Sequence, residues 1–173
     1  MILLGTNALS EPLKPHPAPT VTAWLDDQVV DQLCISAVTV MEMLDGAARL
    51  DVGARRLRLE EAINGLIARF RCLPFDEFAA RSYAPMSESA PRAGRTISMG
   101  DAQIAAVAHA NGIEAVATRD TGPFEAMGLQ VFNPWTASFG RARAVLTAPR
   151  RGAPGEREVD EDGQRARHGV ETE

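Results

Sequence analysis

The chain of 173 residues carries a formal net charge of −5, with 45% hydrophobic and 24% charged residues and few aromatics, so it can build one aliphatic core but is short for two. That charge excludes binding of nucleic acid by bulk attraction alone, although a bound divalent cation would let an acidic protein hold a phosphate. No apolar run reaches the ~20 residues that cross a bilayer, and the opening residues lack the pattern of a secretion signal, so the expected location is the cytoplasm, with no membrane partner.

Ile2-Leu3-Leu4 predicts a short buried strand that stops at Gly5, with a polar turn at Thr6-Asn7. A helix is expected over 19–27, then a strand at Leu33-Cys34-Ile35. Ser36 is a favourable N-cap for the next helix, whose inward stripe is Val40, Met41, Leu44 and Ala48, with Glu42 on the opposite, solvated side. Residues 54–70 predict another helix. Leu73-Pro74-Phe75 reads as a brief extended link before Asp76 caps a further helix, and a loop containing Pro91 and Gly94 follows. Ser98 caps a helix over 99–111 that ends in a left-handed Gly112. Strands over 115–118 and 129–132 enclose a short helix at 124–127.

Strands alternating with helices imply a mainly parallel sheet covered on both faces, an α/β fold in three α/β/α layers. Residues 1–138 are expected to form this domain. Residues 139–173, nearly devoid of large apolar side chains after Leu146, are expected to be a flexible tail. Cys34 and Cys72 fit no metal-ligand spacing and are read as buried thiols, and Trp24 and Trp135 as packing residues. His16, His109 and His168 are isolated and read as incidental.

In an open parallel sheet, ligands bind where the carboxyl ends of the strands meet loops and helix starts. Three acids fall at such places. Asp120 follows a strand, Asp101 lies in the first turn of a helix, and Glu42 is on the helix after the second strand. Carboxylates brought together repel unless a cation neutralises them, and hard oxygen donors suit Mg²⁺ or Mn²⁺. Each acid also has a plain structural reading. Asp101 suits a helix N-terminus, Glu42 a solvated face and Asp120 a turn. Gly46, one turn beyond Glu42, leaves bare backbone beside that carboxylate at a cost of ~1 kcal/mol to the helix.

Four segments in order bear on this choice. Leu4-Gly5-Thr6-Asn7-Ala8-Leu9-Ser10-Glu11 resembles the opening L-D-T-N-x-x-S-E of PIN-domain toxins. Ser36-Ala37-Val38-Thr39-Val40-Met41-Glu42 followed by Gly46 resembles their S-A-x-T-x-x-E-x-x-x-G, and Asp101-Ala102-Gln103-Ile104-Ala105-Ala106 is similar to their D-A-x-I-A-A. Ala117-Thr118-Arg119-Asp120-Thr121-Gly122, with Phe132-Asn133-Pro134-Trp135, looks like the closing segment of the FitB branch of the VapC family.

The resemblance implies the toxin of a type II toxin–antitoxin system. Such a protein is a Mg²⁺- or Mn²⁺-dependent endoribonuclease that forms a homodimer or a hetero-oligomer with a DNA-binding antitoxin, through which it reaches operator DNA. Carried over by position, Glu42, Asp101 and Asp120 are the catalytic metal-site acids, and Thr6, Asn7 and Thr118 support them. Arg119, Arg95 and Arg92 are candidates for contact with RNA phosphates. Many relatives place a further acid where this chain has Pro123. The larger departure is Gly5, where the pattern has an aspartate ligand, so reduced activity is expected. The alternative is a catalytically inactive PIN module that binds its antitoxin and supports repression. Asp120-Thr121-Gly122 also spells the aspartic protease motif, but that enzyme needs two such aspartates in an all-β framework, which the helical periodicity contradicts.

Overall fold

A computed structural model describes residues 1–92, 97–113 and 115–136, the side chains of 89–92 excepted. In chain order the elements are β1 (Ile2–Leu4), α1 (Thr6–Ser10), α2 (Pro19–Asp26), β2 (Leu33–Ser36), α3 (Ala37–Ala48), α4 (Ala54–Ile67), β3 (Arg71–Leu73), α5 (Glu77–Arg92), α6 (Met99–Ala110), β4 (Ala115–Ala117), α7 (Gly122–Ala126) and β5 (Gln130–Phe132). Short 3₁₀ turns at Glu11–Leu13 and Val30–Gln32 precede α2 and β2.

The strands form one sheet in the order β3-β2-β1-β4-β5, every pair parallel. Alternate residues of each strand face opposite layers, and the core divides accordingly. Leu3, Cys34, Leu73 and Val116 pack with α5, α6 and α7, where Phe124 is the largest fully buried side chain. Ile2, Leu4, Ile35 and Ala117 pack with Leu9, Trp24, Met43 and Ile63 of the other helical layer. The expected three-layer α/β/α architecture is therefore present, built on aliphatics with, among the described residues, one aromatic pair, Trp24 and Phe132, 5.0 Å apart.

Helix starts follow the predicted caps. Ser36 Oγ accepts the Thr39 N–H at 3.0 Å, Asp76 Oδ1 the Ala79 N–H at 3.0 Å, and Ser98 Oγ the Asp101 N–H at 3.0 Å. Gly112 ends α6 at φ 63°, a conformation that costs L side chains more than glycine.

Five expectations need correction. Thr6-Asn7 is not a turn but the start of α1, because Gly5 caps the helix directly and its carbonyl accepts from Ala8 and Leu9. The segment before Pro74 is not merely a link, since Arg71–Leu73 pairs with β2 as an edge strand. Cys72 on that edge is exposed, whereas Cys34 in the interior is buried, and burial pushes its thiol up to about 11. Pro91 belongs to α5 rather than to a loop, while Gly94 lies outside the described residues. On α3 the fully buried face is Val38, Thr39, Met43 and Ala47, with Val40 and Leu44 of the expected stripe partly buried against the core; Met41 is 55% exposed, Ala48 is exposed, and Glu42 is half-buried rather than solvated. The predicted tail falls wholly outside the described residues, as does His168; His16 is exposed and His109 faces the Ser82 hydroxyl at 3.3 Å.

Candidate active site

The strand order places a switch point between β1 and β4, because the chain leaves β1 towards β2 on one side and β4 towards β5 on the other. A crevice forms at the carboxyl ends of such a pair. The segments that emerge there are Gly5-Thr6-Asn7 from β1 and Thr118-Arg119-Asp120 from β4, with α3 springing from β2 alongside.

Gly5 is buried, and its N–H donates to the Ala117 carbonyl at 2.9 Å. Its backbone, at φ −70° and ψ 160°, is ordinary extended geometry. A Cβ there would lie 3.3 Å from Ala117 O and from Thr118 Cβ, so a side chain at position 5 needs these neighbours to yield by a few tenths of an ångström, and it would emerge beside Thr118.

Thr6 donates its hydroxyl to the Glu42 carboxylate, tying the start of α1 to α3. Glu42 also reaches the first turn of α6, where its Oε1 occupies the space that a side chain on Gly100 would need. The next residue, Asp101, is half-buried and accepts the Ser98 hydroxyl at 2.6 Å. Glu42 and Asp101 thus approach one turn from two helices.

Asn7 ties the other side of the crevice. Its Oδ1 accepts from the Thr118 hydroxyl at 3.2 Å and from the Arg119 N–H at 2.9 Å, bridging α1 to the end of β4. Asp120 follows, exposed. The Arg119 guanidinium rests 5.5 Å from the Trp135 ring centroid, which restricts a long side chain that would otherwise wander. The Arg92 side chain and all of Arg95 lie outside the described residues. A groove of about 540 Å³ opens beside Glu42 and Thr6, lined by Met43, Ala47 and Ile63 and by the basic Lys14 and Arg55.

Among the described residues no three acidic, histidine or cysteine side chains are gathered closely enough to hold a metal ion as they stand. The donor chemistry nonetheless suits a hard cation, being all carboxylate oxygen, and the free edge of Gly100 leaves Glu42 clear access to the turn that bears Asp101. Bringing Glu42 and Asp101 to one ion would require rotations of side chains now bonded to single hydroxyls.

Two residues here were given no role by the sequence, although Glu11 closes the opening motif. Glu11 is only 3% exposed, yet charged, and it accepts from Lys14 Nζ at 2.5 Å and the Ala18 N–H at 2.9 Å. Burial opposes its ionisation, but Lys14, the Ala18 N–H and the more distant Arg119 outweigh that and hold its carboxyl below the ordinary 4.5. Because the folded-state value is depressed, Glu11 contributes stability above pH 4.5 that is lost as pH falls through the lower folded value. Glu11→Gln is expected to cost roughly 1–3 kcal/mol at neutral pH and to shrink the loss of stability in acid. Denaturant titrations of both proteins between neutral and acidic pH test this; equal pH slopes would remove Glu11 from the account. The second missed residue, Gly100, had a readable signal, because a glycine inside a helix next to a candidate acid carries a helix-forming penalty that calls for a reason.

Comparison with known proteins adds a family to this geometry. The sequence profile of the PIN domain matches residues 2–128. The VapC ribonuclease Y4jK of Sinorhizobium fredii is 44% identical over 138 residues, covering 78% of this chain and 98% of the relative. Toxin FitB of Neisseria gonorrhoeae is 45% identical over 139 residues, covering 78% of this chain and 99% of the relative. The solved structure of FitAB bound to an IR36 DNA fragment aligns with a TM-score of 0.71 at 44% identity, covering 80% of this chain and 98% of that one.

Proposed function

The chain belongs to the PIN-domain family, and from that premise we propose that it is the toxin of a type II toxin–antitoxin pair, a divalent-metal-dependent endoribonuclease weakened at one ligand position. The observation that carries this reading is the placement of Gly5. It stands at the tip of the central strand β1, between Thr6, which holds Glu42, and Thr118, which precedes Asp120. Relatives named as a VapC ribonuclease and as Toxin FitB support both the cleavage of RNA and the toxin role.

In this reading Glu42, Asp101 and Asp120 would hold Mg²⁺ or Mn²⁺, and a bound ion supplies charge that stabilises a phosphate under attack and makes water more acidic. The remaining work belongs to the chain. Thr6 fixes the Glu42 carboxylate, while Asn7 locks the β4 end by holding both Thr118 and Arg119. Arg119, braced on Trp135, is positioned to take an RNA phosphate, with Arg92 and Arg95 as further candidates. The lining of the groove supplies one more cation, Arg55, to a protein that is acidic as a whole, the neighbouring Lys14 being paired with Glu11.

The proposed partner is a DNA-binding antitoxin, in a homodimer or a toxin–antitoxin hetero-oligomer, and operator DNA would be reached through that antitoxin. The FitAB complex on DNA supports this arrangement. Among the described residues no helix is long and apolar enough to cross a membrane, and we place the protein in the cytoplasm. A second reading, an inactive module that binds antitoxin and aids repression, is favoured by Gly5 alone. Incubating the chain with defined RNAs and Mg²⁺ or Mn²⁺ separates the two. Weak cleavage abolished by a chelator is expected, whereas no cleavage under any metal, with normal antitoxin binding, would favour the inactive module.

A further inference from the structure

We propose that Gly100 is a positioning residue, whose lack of a side chain admits the Glu42 carboxylate to the space between Thr6 and the first turn of α6, beside Asp101. The inference rests on the reading that Glu42 and Asp101 share a cation. It concerns a residue to which neither the motifs nor the family pattern gives a role.

Glycine at position 100 carries an unexplained cost. Gly100 is the second residue of a 12-residue helix, where glycine is disfavoured against alanine by up to the ~1 kcal/mol of a helix interior. Its backbone does not call for glycine, since positive φ occurs among the described glycines only at Gly112 and Gly128. Space does. A methyl group at position 100 would overlap Glu42 Oε1 and stand 3.3 Å from Glu42 Cδ and 3.8 Å from Ser98 Oγ. By contrast, Gly46 and Gly65, also within helices, have nothing within 4 Å of the same methyl group.

The obstructing atom is the far end of a flexible side chain, so a methyl group would displace the carboxylate rather than unfold the helix. Glu42 Oε1 would then leave its place against α6 while Oε2 still accepts the Thr6 hydroxyl, and Asp101 would lose the neighbour with which it could share an ion. Gly100→Ala is thus a substitution that favours the helix and disfavours the site.

The test measures Mn²⁺ affinity by electron paramagnetic resonance of the free ion, alongside thermal unfolding, for the full chain and four variants. These are Gly100→Ala, Gly65→Ala as a control for helix propensity, Glu42→Gln, and Gly100→Ala combined with Glu42→Gln. Gly100→Ala is expected to weaken Mn²⁺ binding roughly 10-fold or more with an unchanged or raised Tm. Gly65→Ala should bind as the parent does, and the double variant should bind no more weakly than Glu42→Gln alone. If Gly100→Ala binds Mn²⁺ as the parent does while Glu42→Gln binds weakly, the role of Gly100 falls and the metal reading stands. Additive losses in the double variant, or a lowered Tm in Gly100→Ala, would equally overturn it, because the methyl group would then act on something other than Glu42. If Glu42→Gln leaves Mn²⁺ binding intact, the metal reading itself fails and takes this inference with it.

Discussion

Replacing Gly5 with Asp is expected to raise metal-dependent RNA cleavage by roughly 10–100-fold or more, since removing even an outer partner of a metal site costs that much and a direct ligand costs no less. The backbone at position 5 accepts an L residue without strain, and the new Cβ would project next to Thr118, on the crevice side of β1. The same substitution is expected to lower stability by about 1 kcal/mol or somewhat more, because contacts of 3.3 Å to Ala117 O and Thr118 Cβ require the neighbours to yield by a few tenths of an ångström. Activity gained at the expense of stability would mark position 5 as a site residue rather than a packing residue. Initial rates with Mg²⁺ and Mn²⁺, paired with melting curves, check both halves. Cleavage that stays flat after the carboxylate is introduced would contradict the ligand assignment.

The second large effect concerns Glu42. In the Gly5→Asp background, Glu42→Gln is expected to reduce cleavage by roughly 100-fold, at the upper end of what loss of a metal-site partner costs, with little change in folding. Glutamine keeps the length of the side chain and an oxygen able to accept the Thr6 hydroxyl, so the packing of α1 against α3 should survive. What disappears is the negative charge. Raising the metal concentration should recover part of the rate if the loss is one of affinity, and circular dichroism should show an intact fold. A variant that cleaves as fast as its parent would show that Glu42 merely ties α1 to α3.

The fold was legible because its layers are written in two periods. Continuous apolar triplets such as Ile2-Leu3-Leu4 announce strands buried on both faces, and serine caps before apolar helices mark where α3 and α6 begin. What misled were positions where tertiary contacts override local pattern. Arg71-Cys72-Leu73 shows an exposed pair before one buried leucine, the signature of an edge strand too short to display alternation. Met41 looked buried by spacing, but α3 is rotated so that Thr39, Met43 and Ala47 face inwards, with Thr39 satisfied by the Ser36 hydroxyl. That rotation is also what brings Glu42 to Thr6.

The sequence offers candidate site residues but not the wiring between them. Glu42, Asp101 and Asp120 stood out as acids at strand ends and helix starts, and the strand order explains why segments far apart in sequence emerge together. The bonds from Asn7 to Thr118 and Arg119 span more than a hundred residues, and no local spacing could have disclosed them. Glu11 was hidden for a different reason. A charged residue after a short helix reads as solvent-facing unless its partners, Lys14 and the Ala18 N–H, are known.

The central claim is that the carboxylates of residues 42, 101 and 120 share one cation above the β1–β4 crevice. Crystals of the Gly5→Asp variant soaked in Mn²⁺ and measured for anomalous scattering test it most directly. The account predicts one strong anomalous peak contacted by oxygens of Glu42, Asp101 and Asp120. A peak bound elsewhere, or none at saturating Mn²⁺ while the same preparation cleaves RNA, would contradict it.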